Sequence, residues 1–248
     1  MNSYLNFIRL QWPLLSFGFL TVFIGNVGQS FFLSWFGADI QKDLVLSATD
    51  YGMIYALATL CSSMTIMFVG GLVDKWDIRP FVTVVAVLLV VACVVMSYVV
   101  SPLMLFFAFF MLRLAGQGLL PHTAQTTMIR SYSHQRGKAI SLASSGVAFG
   151  EVILPIIVVL LISWIGWRSS WLVFASVVAF VYLPLAYILL AKSTQFKGNT
   201  KKPISKEMLS VIKVGGMYCL TGVFGPFCLR CWQHLLSLLA CSSNNIFC

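Results

Sequence analysis

Four polar side chains stand inside long apolar runs of this sequence: Asn26, Gln29, Arg113 and Glu151. Arg113 is about halfway along its run. If that run crosses a bilayer, a guanidinium at the centre costs about 2.5–3.5 kcal/mol on insertion scales, so it belongs in a bundle interior or a wet cavity. Its planar fork binds carboxylates bidentately, which points to an anionic solute or an acidic partner. Glu151 is the one acidic residue well inside an apolar run. Desolvation raises a carboxyl pKa toward neutrality, so Glu151 is a candidate to titrate a proton; pairing with Arg113 or a hydroxyl is the structural alternative. Asn26 and Gln29 lie three apart beside Gly25 and Gly28, on one helical face, and either line a pathway or bond a neighbouring helix. His122 reads as structural.

A second constellation is GGLVDKWDIRP, Gly70 to Pro80. Asp74, Lys75, Asp77 and Arg79 put four charges into six residues of a chain that is 9% charged. Gly70 and Gly71 allow a sharp turn and close helix approach. Asp74 accepts hydrogen bonds from a helix N-terminus or an arginine across the bundle, and a bond broken and remade there biases one of two helix arrangements. The plain alternative is a solvated loop that stops two helices. Gly146 and Gly150 have the G-x-x-x-G spacing of close helix packing, with Pro155 just beyond.

The elements that carry these residues follow from composition. The chain has 248 residues, is 59% hydrophobic and has a mean hydropathy of +0.92. A soluble domain carries charge at about a quarter of its positions. A bilayer needs roughly 20 apolar residues per helical span, and six runs qualify: Trp12–Trp35, Tyr51–Val69, Phe81–Val100, Leu103–His122, Ala139–Trp164 and Trp167–Leu190. They are continuous rather than alternating, which makes barrel strands a poor reading. No A-x-A-like cleavage site follows the first run, so it reads as a retained span. The expected fold is all-α, a polytopic bundle of six transmembrane helices over 1–191. A basic linker follows over 192–216, then a Cys-containing tail over 217–248. The tail lacks a clean apolar run and reads as atypical, degenerate or out of frame.

The net charge of +9 is distributed as a topology signal, not as a nucleic-acid patch. Arg9, Lys75, Arg79, Arg130, Arg136, Lys138 and the basic residues of 192–213 fall at alternate ends of the runs; the opposite ends carry Lys42 and Arg168. The positive-inside rule places both ends of the six-helix region in the cytoplasm, and the expected location is a bacterial inner membrane. Helices one to three and four to six match in hydropathy and not in residues, so an inverted repeat is weakly signalled.

Enzymatic classes find little support. Five of seven cysteines lie in the last thirty residues, and Cys228-Leu-Arg-Cys231 lacks a second pair or a histidine, so no metal site is expected. An intramembrane protease needs a serine with a histidine base; Ser144-Ser145-Gly146 has no histidine in helices five or six. A haem anchor wants paired intramembrane histidines. No catalytic residue and no cofactor is implied.

The loop Gly70–Pro80 resembles the signature loop of the major facilitator superfamily, G-x-x-x-D-[RK]-x-G-[RK]-[RK]. Gly70, Asp74, Lys75 and Arg79 match it; Asp77 replaces the usual glycine and Ile78 a usual basic residue. RLAGQG (Arg113–Gly118), RGKAISLASSGVAFGEVILP (Arg136–Pro155) and GWRSSW (Gly166–Trp171) resemble family stretches in the correct order. The combination looks most like the monocarboxylate and organic-anion carriers. The resemblance covers roughly Leu14 to Lys206, one six-helix half of a twelve-helix fold. It implies secondary transport of a small solute, with proton coupling as one option, and with the loop latching a gate. It also leaves two alternatives: a truncated chain that does not transport, or a half-carrier that dimerises or meets a second half.

Overall fold

The computed structural model describes residues 2–72, 76–132 and 135–193, with side chains described from Gln11 onward, Leu72 excepted. These belong to one compact unit, Met1–Ile204. Every regular element among them is helical: α1 (Asn2–Gly25), α2 (Ser30–Ser34), α3 (Gly37–Asp43), α4 (Ala48–Val69), α5 (Ile78–Ser97), α6 (Pro102–Leu112), α7 (Leu120–Ser131), α8 (Arg136–Ser176) and α9 (Leu183–Lys192), with short 3₁₀ or π-helical links. Among the described residues, five helical stretches are long and apolar enough to cross a membrane: Gln11–Ser34, Ala48–Val69, Ile78–Ser97, Pro102–Ser131 and Arg136–Lys192. The chain is an all-α polytopic membrane protein.

The fifth stretch makes two crossings. At about 1.5 Å per residue its 57 residues would run about 85 Å, against a bilayer core of about 30 Å. It folds back at Gly166, whose φ of 78° and ψ of 163° break the helix inside α8. Neighbours along the first span prove the reversal. Going up that span, Gly18 meets Ala143, Phe19 meets Gly146 and Asn26 meets Gly150, so 136–165 runs parallel to it. In the same direction Lys192 lies over Trp12, Tyr182 bonds Thr21, and Trp171 and Phe174 pack on Phe32, so 167–192 runs antiparallel. The expected turn at Trp164–Trp167 is where the chain turns.

Two features differ from the sequence expectation. The fourth span continues past His122 to Ser131. Its polar tail is buried against the first and fifth spans, and Thr123 and Thr127 donate to the carbonyls four residues back, so their hydroxyls need no water. The first span is also not one helix. It stops at Gly25, takes a 3₁₀ turn over Asn26–Gly28, and passes through an extended Gln29 (φ −77°, ψ 154°) before α2.

Helix starts follow local chemistry. Ser47 caps α4 through the Asp50 N–H, and Ser101 caps α6 through Met104 with Pro102 in the first turn. The core gathers Phe17, Phe32, Phe36, Leu89, Phe109 and Trp171, each below 2% exposed, between the first, third, fourth and sixth spans. The second span and the outer face of 136–165 leave Met64, Met67, Phe68, Val152 and Ile156 exposed.

Candidate functional site: a broken first span against a π-helical fourth span

The break in the first span lies against a break of another kind. Over Arg113–Leu119 the fourth span widens to a π-helix, a form that concentrates at functional sites. The two irregular stretches touch backbone to backbone. A Cβ on Gly116 would stand 2.6 Å from the Gly28 nitrogen, and one on Gly28 would stand 2.8 Å from the Gln117 nitrogen and overlap the Leu112 carbonyl. Only glycine at both positions permits this approach.

Arg113 is 5% exposed at this seam. Its Nη1 donates to Ser30 Oγ at 3.0 Å and to the Gly28 carbonyl at 3.4 Å. The carbonyl is one that the break released from helical pairing, so the guanidinium holds the broken span to the fourth. Tyr55 closes the arrangement: its hydroxyl donates to Ser30 Oγ at 2.8 Å and its ring lies 5.2 Å from the guanidinium carbon. A buried cation, a hydroxyl chain and an aromatic face therefore come from three different spans.

Asn26 is fully buried on the other side of the break. Its Nδ2 donates to the Gly146 carbonyl at 3.0 Å, while Oδ1 finds no partner among the described residues. Gly146 and Gly150 are buried and let the first span reach the fifth; a Cβ on Gly146 would stand 2.6 Å from the Phe19 carbonyl, and one on Gly150 would overlap the Asn26 amide. Pro155 lies inside the same helix, half-buried. Gln29 is 8% exposed. The premise that Asn26 and Gln29 share a helical face is corrected: no helix joins them, because the chain is extended at Gln29.

Glu151 is not gathered into this seam. It is exposed and, among the described residues, makes no hydrogen bond or ion pair. Its neighbours Phe149, Val152 and Ile156 are exposed and apolar.

At one end of the bundle, Gly70 is buried beside His122, whose Nε2 would lie 3.7 Å from an added Cβ. Arg79 sits in the first turn of α5, its carbonyl accepting from Thr83. Asp74 and Lys75 lie outside the described residues. At the opposite end, Asp43 accepts from the Trp167 indole at 2.9 Å and lies 3.4 Å from Arg168 Nε.

Sequence reasoning passed over three residues of the seam: Ser30, Tyr55 and Gln117. Gln117 had a signal, since it follows Arg113 by four residues and so shares its face. It is 5% exposed, and among the described residues neither its Nε2 nor its Oε1 has a partner.

The family model of the Major Facilitator Superfamily matches residues 18–247. Over 133 residues the chain is 24% identical to the uncharacterized transporter YybO of Bacillus subtilis (strain 168), which takes in 54% of this chain and 31% of that protein. The chain thus spans about a third of the length of the curated relative it matches.

Proposed function

The chain belongs to the Major Facilitator Superfamily, and from that premise we propose that it takes part in secondary transport of a small organic anion such as a monocarboxylate. The family is one of carriers rather than enzymes. The observation that supports the anionic solute is Arg113, a 5% exposed guanidinium in the fourth span. The planar guanidinium fork is the natural complement of a carboxylate. Gly70, Asp74, Lys75 and Arg79 form the gating loop in this reading, with Asp74 as the latch. The basic end of the bundle faces the cytoplasm of a bacterial cell.

Glu151 supports a second element of the reading. A carboxylate left among exposed apolar side chains would cost several kcal/mol against lipid. A second six-helix bundle, from the partner half of a carrier or from a second copy, would cover it, and Glu151 would then be placed to couple transport to protons.

Uptake into vesicles tests both. Radiolabelled monocarboxylates should enter saturably, and an inward proton gradient should accelerate them in the wild type but not in Glu151→Gln. Saturable uptake restricted to neutral or cationic solutes would sink the anionic reading. A proton response that survives Glu151→Gln would remove the coupling role alone.

A further inference from the structure

We infer that the seam between the first and fourth spans is built to part, and that Gln117 is the residue that tips it open. The inference concerns the motion of one bundle and does not depend on which solute is carried.

The starting point is an amide without partners. Gln117 presents a donor and an acceptor, both shut from solvent in this arrangement and neither paired. Buried side-chain amides are nearly always bonded, because an unmade bond forfeits the hydration that the group had when open. An apolar residue of similar length would fill the same space without that penalty. The closed seam is therefore disfavoured at Gln117 relative to any arrangement in which water or a polar solute reaches the amide, and the balance between the two shifts by that difference.

The surrounding backbone suits such a motion. The first span is already interrupted over Asn26–Gly28, and the fourth is already widened over Arg113–Leu119. Parting them bends each span where its helical ladder is already irregular. Asn26 Oδ1, on the same interrupted turn, is also covered and unpaired, and it adds to the same side of the balance. Against these stand the contacts that close the seam: the Gly28–Gly116 backbone approach and the two Arg113 hydrogen bonds across it. The seam is thus held by contacts at Arg113 and loaded by an unsatisfied group one turn away. What enters on opening is water or a small polar solute that offers both a donor and an acceptor.

Hydrogen–deuterium exchange of the full chain in lipid nanodiscs, without solute, tests this. Two replacements are compared with the wild type, Gln117→Leu and Gln117→Met, the second being unbranched and close to glutamine in length. Both should slow amide exchange over 26–30 and 113–120 by about tenfold or more, the effect of relieving one such unpaired group. Both should raise the melting temperature, and exchange over 78–97 should slow by far less than at the seam. Unchanged or faster exchange at the seam overturns the inference. So does slowing spread equally over 78–97, which marks general stabilisation. Failure of both variants to fold overturns it too, since the apolar replacements must be the more stable proteins.

Discussion

Arg168 reaches Asp43 across the end of the bundle opposite Gly70, with Nε 3.4 Å from Oδ2, while its Nη1 donates to the Ser97 carbonyl at 3.1 Å. The guanidinium also lies 4.5 Å from the Trp167 ring, whose indole bonds the same carboxylate. One side-chain cluster thereby ties α3, the end of α5 and the start of the sixth span. The ion pair itself is weak, because both side chains are more than a third exposed and water screens them. Asp43→Asn should therefore lower stability by under about 1 kcal/mol. Arg168→Ala, which also loses the Ser97 bond and the stacking, should lower it further, by about 1–2 kcal/mol. Thermal unfolding in detergent reads both. Equal losses from the two variants would mean that the carboxylate, not the guanidinium, organises this end.

The fifth span separates packing glycines from idle ones. Gly146 faces the Phe19 carbonyl at 2.6 Å for an added Cβ, and backbone cannot step aside cheaply. Gly146→Ala should destabilise the bundle by about 1–3 kcal/mol, and Gly150→Ala should also displace the Asn26 amide from the Gly146 carbonyl. Gly137, near the start of the same helix, has nothing within 4 Å of an added Cβ. Gly137→Ala should be neutral or stabilise by up to about 1 kcal/mol through helix propensity. The contrast within one helix is read by melting temperatures of the three variants, and a Gly146→Ala protein as stable as Gly137→Ala would deny the close contact.

At Gly166 the constraint is backbone alone. Nothing lies within 4 Å of an added Cβ, yet φ is 78° and ψ 163°, a region that is essentially reserved for glycine. Gly166→Ala should cost about 1–3 kcal/mol without any steric clash. If alanine there is tolerated at no loss, the hairpin between the fifth and sixth spans can turn by another conformation.

How far the sequence foretold this arrangement depends on which signal each feature leaves. The spans were legible because twenty apolar residues in a row have few other uses, and the turn at Gly166 was legible because it falls between two tryptophans that bound apolar runs. Arg113 stood out by charge. The fourth span extends beyond its apolar run because Thr123 and Thr127 look like a loop until their hydroxyls turn back on their own helix. The break after Gly25 was illegible: glycines at 25 and 28 in an apolar run fit close packing as well as unwinding. Gln117 was missed because an uncharged amide in RLAGQG gives no hydropathy signal strong enough to notice, and its lack of partners exists only in three dimensions. Asp74 was conspicuous in the sequence, but its role rests on the resemblance of its loop.

The role proposed for Arg113 can be separated from its structural one by keeping the charge and changing the fork. Arg113 holds the broken first span through Gly28 and Ser30, so any replacement loosens the seam to some degree. Lysine preserves the positive charge but binds as a single point, without the planar pair of donors that engages both oxygens of a carboxylate. If Arg113 contacts the solute, Arg113→Lys should weaken binding of carboxylate solutes by about tenfold or more, the worth of a charge-assisted bond, and raise KM more than it lowers kcat. Ser30→Ala removes the same structural anchor from the other side while leaving the guanidinium in place. It should lower the melting temperature and leave the preference among solutes unchanged. Uptake measured for both variants over a concentration series decides the matter. Should Arg113→Lys and Ser30→Ala change KM alike, the guanidinium acts only as a brace between the first and fourth spans, and the solute is recognised elsewhere.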